Sequence, residues 1–263
     1  MALIQDNIRF HLKIKTGDIG RYVILPGDPG RVPKIAALLD GAEQIAYNRE
    51  YNTYTGTLLG EKVSVISTGI GGASTAIAVE EAIMSGADTF IRVGTSGGMD
   101  MKVFGGDIIV ASGAVRSEGT SREYIPIEYP AVPDHSVMCA LARAGSALST
   151  DEDGNRCHVG VVHCKDSFYG EIDPQGVPVA STLAPAWDAY VRCGCLTSEM
   201  ESAALFSVAI ARHVRAGAVF TALWNVERSK AGLPDKVCES SERAIRCAVD
   251  AIKLLIRTDD RIF

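Results

Sequence analysis

The stretch from residue 67 to residue 99 constrains the fold more than any other part of the chain. A short apolar strand, VSVIS, runs into a glycine turn at 69–72, and a helical pattern follows at 73–86. A second strand at 89–93 then leads into a second glycine turn at 94–98. This pattern predicts a βαβ unit with both turns at the carboxyl ends of adjacent parallel strands, where open α/β sheets bind ligands.

Arg92 interrupts the second strand of this unit, which is otherwise apolar. A buried guanidinium is destabilising unless an anion pairs with it. Two interpretations follow: Arg92 is a receptor for an anionic ligand at the strand end, or it forms a structural ion pair with a glutamate of the core. The residue type alone does not separate them.

Strands and helices alternate along the rest of the chain, which predicts one α/β domain over residues 1–263. The pattern predicts strands at 22–25, 106–112, 157–164 and 216–224, a hairpin at 53–68, and helices at 134–148, 184–192, 198–213 and 237–256. Residues 167–181 read as an irregular loop, and a loop of this length in a compact domain is often functional.

Charge and cysteine content exclude several classes of protein. The formal charge of −6 and the pI near 5.4 argue against nucleic acid as a partner. No run of eighteen apolar residues is present and the N-terminus does not resemble a signal peptide, so we expect no membrane association. The seven cysteines are scattered and lack CxxC spacing, which favours reduced thiols in a cytoplasmic protein and no zinc site.

A third glycine-rich turn, PGDPGR, follows the strand at 22–25. Asp28 suits a helix N-cap and Pro29 suits the first helical position. Gly27 would bring backbone N–H groups close to a ligand, and Arg31 lies in the first turn, where it opposes the helix dipole. That placement is explained if an anion binds there, although a simple surface arginine is the alternative.

Two further motifs allow competing interpretations. The segment at 94–98 formally matches the G-x-S-x-G elbow of serine hydrolases at Ser96, but the residues after it do not read as the helix that the elbow requires. Ser198 and Glu201 match a capping box at the start of a helix. Glu199 and Glu201 could instead bind sugar hydroxyls and stabilise an oxocarbenium ion.

Five segments stand out when they are taken together: PGDPGRV (26–32), NRE (48–50), STGIGGASTAIAVEE (67–81), FIRVGTSG (90–97) and SEMESAAL (198–205). In this order they resemble the nucleoside phosphorylase family of the uridine phosphorylase type over nearly the whole chain. The resemblance implies a three-layer α/β/α fold with a central mixed β-sheet. It also implies reversible phosphorolysis of uridine to ribose 1-phosphate and uracil, as in pyrimidine salvage.

The resemblance also implies roles for single residues. Phosphate is held by Gly27, Arg31, Arg92 and Thr95, with Arg49 from a neighbouring subunit. Ribose is held by Met200 and Glu201, with Glu199 behind them and His11 from the neighbour, and the base packs on Phe168. The catalytic set is Arg92, Glu201 and Arg228. No cofactor is required, but Glu50, Ile70 and Ser74 match positions that hold a monovalent cation, typically potassium, at the subunit interface of some relatives.

The chain departs from the family pattern at the base site. Bacterial uridine phosphorylases place a Gln-x-Arg shortly after a Phe-Tyr pair, but Ile172 and Pro174 stand there in this chain. Gln175 and Arg228 are the candidates to replace that pair. The aspartate with which purine-specific relatives protonate the base is missing from the segment 223–225, which favours uridine. A purine nucleoside phosphorylase or methylthioadenosine-type enzyme of the same fold is the alternative.

The implied partners are inorganic phosphate, a nucleoside and further copies of the chain. The resemblance places His11 and Arg49 across a two-fold interface, so each subunit would complete its neighbour's site. We therefore expect at least a dimer, with a hexamer built as a trimer of dimers as the larger alternative.

Overall fold

The computed structural model describes residues 4–5, 7–150 and 154–259. The strands are β1 (Ile4–Gln5), β2 (Ile8–Arg9), β3 (Tyr22–Pro26), β4 (Asp40–Asn48), β5 (Tyr51–Leu58), β6 (Glu61–Ile66), β7 (Thr89–Gly98), β8 (Ile108–Ser117), β9 (Cys157–Lys165), β10 (Thr197–Glu199) and β11 (Arg215–Asn225). The helices are α1 (Val32–Ala36), α2 (Gly72–Ile83), α3 (His135–Ala147), α4 (Phe168–Ile172), α5 (Ala180–Arg192), α6 (Ser202–Arg212), α7 (Val226–Lys230) and α8 (Glu242–Asp259).

Nine of the described strands form one mixed sheet in the order β10-β9-β8-β11-β7-β3-β6-β5-β4. Strands β11, β7, β3 and β6 run parallel to one another, whereas β8 is antiparallel to β11 and β5 is antiparallel to β6. The short strand β10 pairs with both β9 and β7, so one end of the sheet closes on itself. This closure brings the carboxyl ends of β7 and β9 to one place.

Helices cover both faces of the sheet, because successive side chains of β7 and β11 pack against different helices. Phe90 and Phe220 pack with residues of α2 and α6 in one apolar cluster. Ile91 and Val219, their neighbours along the two strands, pack with residues of α3 and α8 in a second cluster. Because successive side chains of a strand point to opposite faces, each strand supplies both clusters. The three-layer α/β/α fold with a central mixed sheet is confirmed.

Several predicted elements need correction. Strand β3 lies between β6 and β7, so the two strands of the predicted βαβ unit are parallel but not adjacent. The second glycine segment is not a turn, because β7 continues to Gly98 and pairs there with β10. The predicted helix at 198–213 begins only at Ser202, and the predicted loop at 167–181 contains α4 and the start of α5.

Strand β4 was not predicted, and α8 begins at Glu242 rather than at residue 237. The start of α3 and the turn after β3 follow the sequence signals. The Asp134 side chain accepts a hydrogen bond from the Val137 N–H and caps α3, and Asp28 caps a short 3₁₀ turn at Pro29–Arg31. None of the described helices is long and apolar enough to cross a membrane. The division of the chain into one domain stays a prediction.

Candidate active site

A cavity of about 450 Å³ opens at the carboxyl ends of β3, β7, β9 and β11. Its lining comes from the turn after β3, the segment after β6, the end of β7 and the segment that joins β10 to α6. Eight of the residues predicted to hold phosphate, ribose or the base line it: Gly27, Arg31, Arg92, Thr95, Phe168, Glu199, Met200 and Glu201. The fold therefore brings together residues from segments that are far apart in the sequence.

Arg92 lies at the centre of the charged end of this cavity and is only 5% exposed. Its Nε donates to Glu199 Oε2 at 3.2 Å, and one terminal nitrogen donates to Glu201. The other, Nη1, is buried without a hydrogen-bond partner. A Cβ added to Gly27 would lie 3.9 Å from this nitrogen, so Nη1 faces the glycine turn after β3. The structural pairing of Arg92 with glutamates is thus observed, while its role as an anion receptor stays a prediction that the unpartnered Nη1 would allow.

The charges around Arg92 favour an anion beside it. Burial lowers the pKa of Arg92, but the charges of Glu201 and Glu199 outweigh burial, so the net pKa is raised and the guanidinium stays charged. The pKa of Arg31 is lowered, first by burial and further by the charge of Arg92. Two guanidinium groups thus repel each other at one end of the cavity, and a bound anion would relieve that repulsion.

Two glutamates hold this end of the cavity together, but not as the predicted capping box. The Glu199 carboxylate accepts from the backbone N–H groups of Glu201 and Ser202, and so caps α6. Glu201 Oε1 accepts from the Gly71 N–H at 2.7 Å. The predicted bond from Glu201 back to Ser198 is not made, since Ser198 lies in β10. Burial raises the pKa of Glu201 more than the charge of Arg92 lowers it.

Ser96 also lines the cavity, but it is not placed as a serine nucleophile. It lies within β7, so the strand-to-helix turn of a nucleophile elbow is not formed around it. Its buried Oγ has no hydrogen-bond partner. A nucleophilic serine needs a base within hydrogen-bond reach, so the hydrolase alternative is not supported.

Several further lining residues are apolar, and the part of the cavity that they form is called the apolar end. It is lined by Phe168, Trp187, Leu223, Trp224 and Val226. Sequence reasoning found only Phe168 among them. It also missed two polar residues at this end, Lys165 and Ser198, whose Nζ and Oγ atoms are 2.6 Å apart. The sequence did contain a signal for Lys165, because a cationic residue directly follows the predicted apolar strand at 157–164.

Gln175 and Arg228, the predicted base-site residues, do not line the cavity. Arg228 Nε donates to the Pro234 carbonyl and Nη1 donates to the Met101 carbonyl, both at 2.8 Å, while the guanidinium lies over the Phe104 ring. Gln175 lies on an exposed 3₁₀ turn at Pro174–Gly176. Their roles stay predictions.

His11 and Arg49 lie together at another edge of the molecule and do not line this chain's cavity. Glu81 Oε1 lies 2.7 Å from His11 Nδ1, and Asn48 Nδ2 donates to the His11 carbonyl at 2.8 Å. Arg49 follows Asn48 at the tip between β4 and β5, where its φ of 55° is left-handed. Since both residues were expected to serve a neighbouring subunit, this placement agrees with that expectation without testing it.

The three residues of the predicted cation site are neighbours. Ser74 Oγ donates to the Ile70 carbonyl at 3.3 Å. A Cβ added to Gly69 would lie 2.9 Å from Glu50 Cγ and 3.4 Å from Ser74 Oγ. Their oxygen atoms suit a hard cation. No cluster of three or more His, Cys, Asp or Glu side chains suited to a metal ion occurs within the part of the chain that the structure describes.

Comparison with known proteins decides the family. A sequence model of the family described as "Phosphorylase superfamily" matches residues 21–257. The chain belongs to the phosphorylase superfamily. All eight cavity residues named above lie within the matched range, and so do Arg49 and Glu50.

Individual relatives in the phosphorylase superfamily cover nearly the full chain. It is 52% identical over 250 residues to a uridine phosphorylase from Treponema pallidum, with 95% of each protein covered. It is 42% identical to a uridine phosphorylase from Thermococcus kodakarensis, over 97% of this chain and 90% of the relative. It is 39% identical to a guanosine phosphorylase from Halorubrum lacusprofundi, over 93% of this chain and 98% of the relative. The resemblance to nucleoside phosphorylases is confirmed.

Proposed function

We propose that the chain catalyses the reversible phosphorolysis of uridine, which gives ribose 1-phosphate and uracil. The observation that carries the proposal is the buried, unpartnered Nη1 of Arg92, which faces the glycine turn after β3. A phosphate bound between Arg92 and Arg31 supplies the missing acceptor and offsets the repulsion of the two guanidinium groups. Thr95 and the backbone at Gly27 complete this anion site.

The sugar lies between the phosphate and the apolar end of the cavity. Glu201 and Met200 line the cavity, and the Glu201 carboxylate would accept hydrogen bonds from ribose hydroxyls. Breaking the N-glycosidic bond builds positive charge at C1′, which the phosphate and the carboxylate stabilise. Phosphate is already a nucleophile at neutral pH, so no side chain has to activate it. Arg92 and Arg31 position it for attack.

Two observations favour uridine over a purine nucleoside. The relatives from Treponema pallidum and Thermococcus kodakarensis are uridine phosphorylases. Of the described cavity residues, Glu199 and Glu201 pair with Arg92, and Asp28 caps a turn. This leaves no carboxyl group at the apolar end to protonate a purine. The guanosine phosphorylase relative keeps a purine substrate as the second candidate.

A substrate panel tests the base assignment. Uridine, thymidine, inosine, guanosine and adenosine are incubated with the protein, each with and without phosphate, and cleavage is followed by ultraviolet absorbance. We expect uridine to have the highest kcat/KM, and only with phosphate present. Faster guanosine or inosine cleavage would move the assignment to the purine alternative.

The active unit is proposed to be a homo-oligomer with shared sites. His11 and Arg49 do not line the cavity of their own chain. Tyr47, which lies near Arg49 in the chain, is exposed, and Ile70, which lines the cavity, is 78% exposed. Burying that surface against a second copy would carry both polar residues to the neighbour's cavity. A hexamer would repeat this contact in a trimer of dimers.

A potassium ion and the cellular compartment complete the proposal. Glu50, the Ile70 carbonyl and Ser74 would hold the ion, which would supply structural charge compensation and take no part in the reaction. All seven cysteines are unpaired thiols, which fits a reducing cytoplasm and a role in nucleoside salvage.

A further inference from the structure

A buried cation lies at the apolar end of the cavity. Lys165 is the last residue of β9, is only 4% exposed, and lines the cavity together with Phe168 and Trp187. Its Nζ lies 5.9 Å from the centroid of the Phe168 ring. A buried ammonium is destabilising unless polar groups bind it, and the Ser198 hydroxyl, which also lines the cavity, is one such group.

The neighbouring strand fixes where this ammonium points. Ser198 in β10 pairs with His163 in β9, and Lys165 Nζ donates to Ser198 Oγ at 2.6 Å. His163 Nδ1 lies 3.3 Å from the same hydroxyl. Burial lowers the pKa of His163 to about 3, and the charge of Lys165 lowers it further, so the imidazole is neutral. Ser198 therefore accepts from Lys165 and donates to His163, which holds the ammonium beside the cavity.

We propose that Lys165 is a catalytic residue that donates a hydrogen bond to a carbonyl oxygen of the departing pyrimidine base. Ser198 acts as its positioning residue. The inference rests on the proposed phosphorolysis and names the donor that this reaction needs at the base. The Arg228 guanidinium donates to the Pro234 and Met101 carbonyls, and Arg228 does not line the cavity. Lys165 does line it.

The chemical step balances without any further reactant. The bond between C1′ and N1 of uracil breaks, and its electron pair stays on the base, spread over N1, O2 and O4. A phosphate oxygen forms the new bond to C1′. Lys165 keeps its protons and stabilises the developing negative charge through one N–H, and water protonates the base after its release.

Dependence on the leaving group tests this role. We compare uridine with 5-fluorouridine, whose base is a more stable anion, in the full-length wild-type protein and in Lys165→Met. Loss of one such donor lowers kcat/KM for uridine by about 100-fold. The loss for 5-fluorouridine is expected to be several-fold smaller, because that base needs less stabilisation. Lys253→Met on α8 is the matched control and is expected to leave both values unchanged.

Each outcome decides the point. Equal loss on the two substrates, or no loss, overturns the role of Lys165. If Lys165→Met does not fold, Lys165→Gln, which keeps a neutral N–H donor, is compared in the same way and is expected to show a smaller but still unequal loss. Failure of the wild-type protein to cleave uridine with phosphate refutes the proposed function itself, and that result is obtained before any variant is made.

Discussion

At the scale of single residues, the account depends on charges buried around one cavity. Arg92 could be predicted from the sequence because a charged residue within an apolar strand is a visible anomaly. Its partners could not be predicted, since Glu199 lies 107 residues further along the chain. Lys165 was missed because a lysine at a strand end is normally solvated, whereas in the folded chain it is only 4% exposed.

Glu201→Gln separates the structural role of this side chain from its chemical role. A glutamine oxygen can still accept from the Gly71 N–H, and Glu199 still pairs with Arg92. We expect the free energy of unfolding to fall by no more than about 2 kcal/mol, the scale of one hydrogen bond to a charged group. The kcat/KM should fall by about 100-fold, because a neutral amide does not stabilise positive charge at C1′.

The matched control for this variant is Glu80→Gln. Glu80 lies on α2, binds Arg212 at the surface, and does not line the cavity. We expect it to leave kcat/KM unchanged in steady-state assays. Full activity of Glu201→Gln, or a loss of activity that merely follows a loss of folded protein in thermal denaturation, would contradict the assigned role.

At the scale of elements, the sequence identified most strands and helices but misjudged where long-range pairing extends them. The glycines after Val93 read as a turn, yet Gly97 and Gly98 pair with Ser198 and Thr197 of β10. That pairing joins segments about a hundred residues apart, so no local pattern contains it. Because that pairing keeps Ser198 in β10, the alternative interpretation of Ser198 and Glu201 as a capping box does not hold.

The attachment of α8 to the sheet predicts a pH-dependent stability. Asp259, near the end of α8, accepts from Arg215 on β11 and from the Tyr22 hydroxyl on β3. The hydrogen bond from Arg215 lowers the pKa of Asp259 below its usual value. A carboxyl group with a lowered pKa in the folded state stabilises the protein above about pH 4, and this contribution disappears as the pH falls through the folded-state pKa.

Asp259→Asn is therefore expected to reduce the free energy of unfolding by about 1–3 kcal/mol at pH 7, the range for a hydrogen bond to a charged group. The difference from wild type should shrink as the pH falls below about 4. Urea denaturation at several pH values measures it. Asp250→Asn, which removes a helix-surface pair with Lys253, is the control and should have little effect. A difference independent of pH would contradict the assignment.

At the scale of the whole molecule, the sequence could supply the fold class but not the order of strands. That β3 separates β6 from β7 is a property of the assembled sheet, which local patterns do not encode. The assembly of subunits is also not encoded in local patterns of the sequence. It is inferred from His11 and Arg49, which do not line the cavity of their own chain.

Complementation tests the shared site. Arg49→Ala and Glu201→Gln proteins are each expected to be nearly inactive. In a mixed pair, the Arg49→Ala chain has an intact Glu201 and receives Arg49 from its partner, so one site is restored. We expect activity to reappear after subunit exchange, which differently tagged chains verify. Proven exchange without recovered activity, or a fully active monomer in light scattering, would contradict the shared site.

The central claim is that phosphate, and not water, accepts the ribosyl group from the base. Phosphorus-31 NMR follows uridine, phosphate and the wild-type protein in one tube, while absorbance measures the uracil that is formed. The account predicts a new sugar-phosphate resonance that grows in step with uracil, as inorganic phosphate declines by the same amount. Uracil released without consumption of phosphate, or phosphate and uridine both left unchanged, would contradict it.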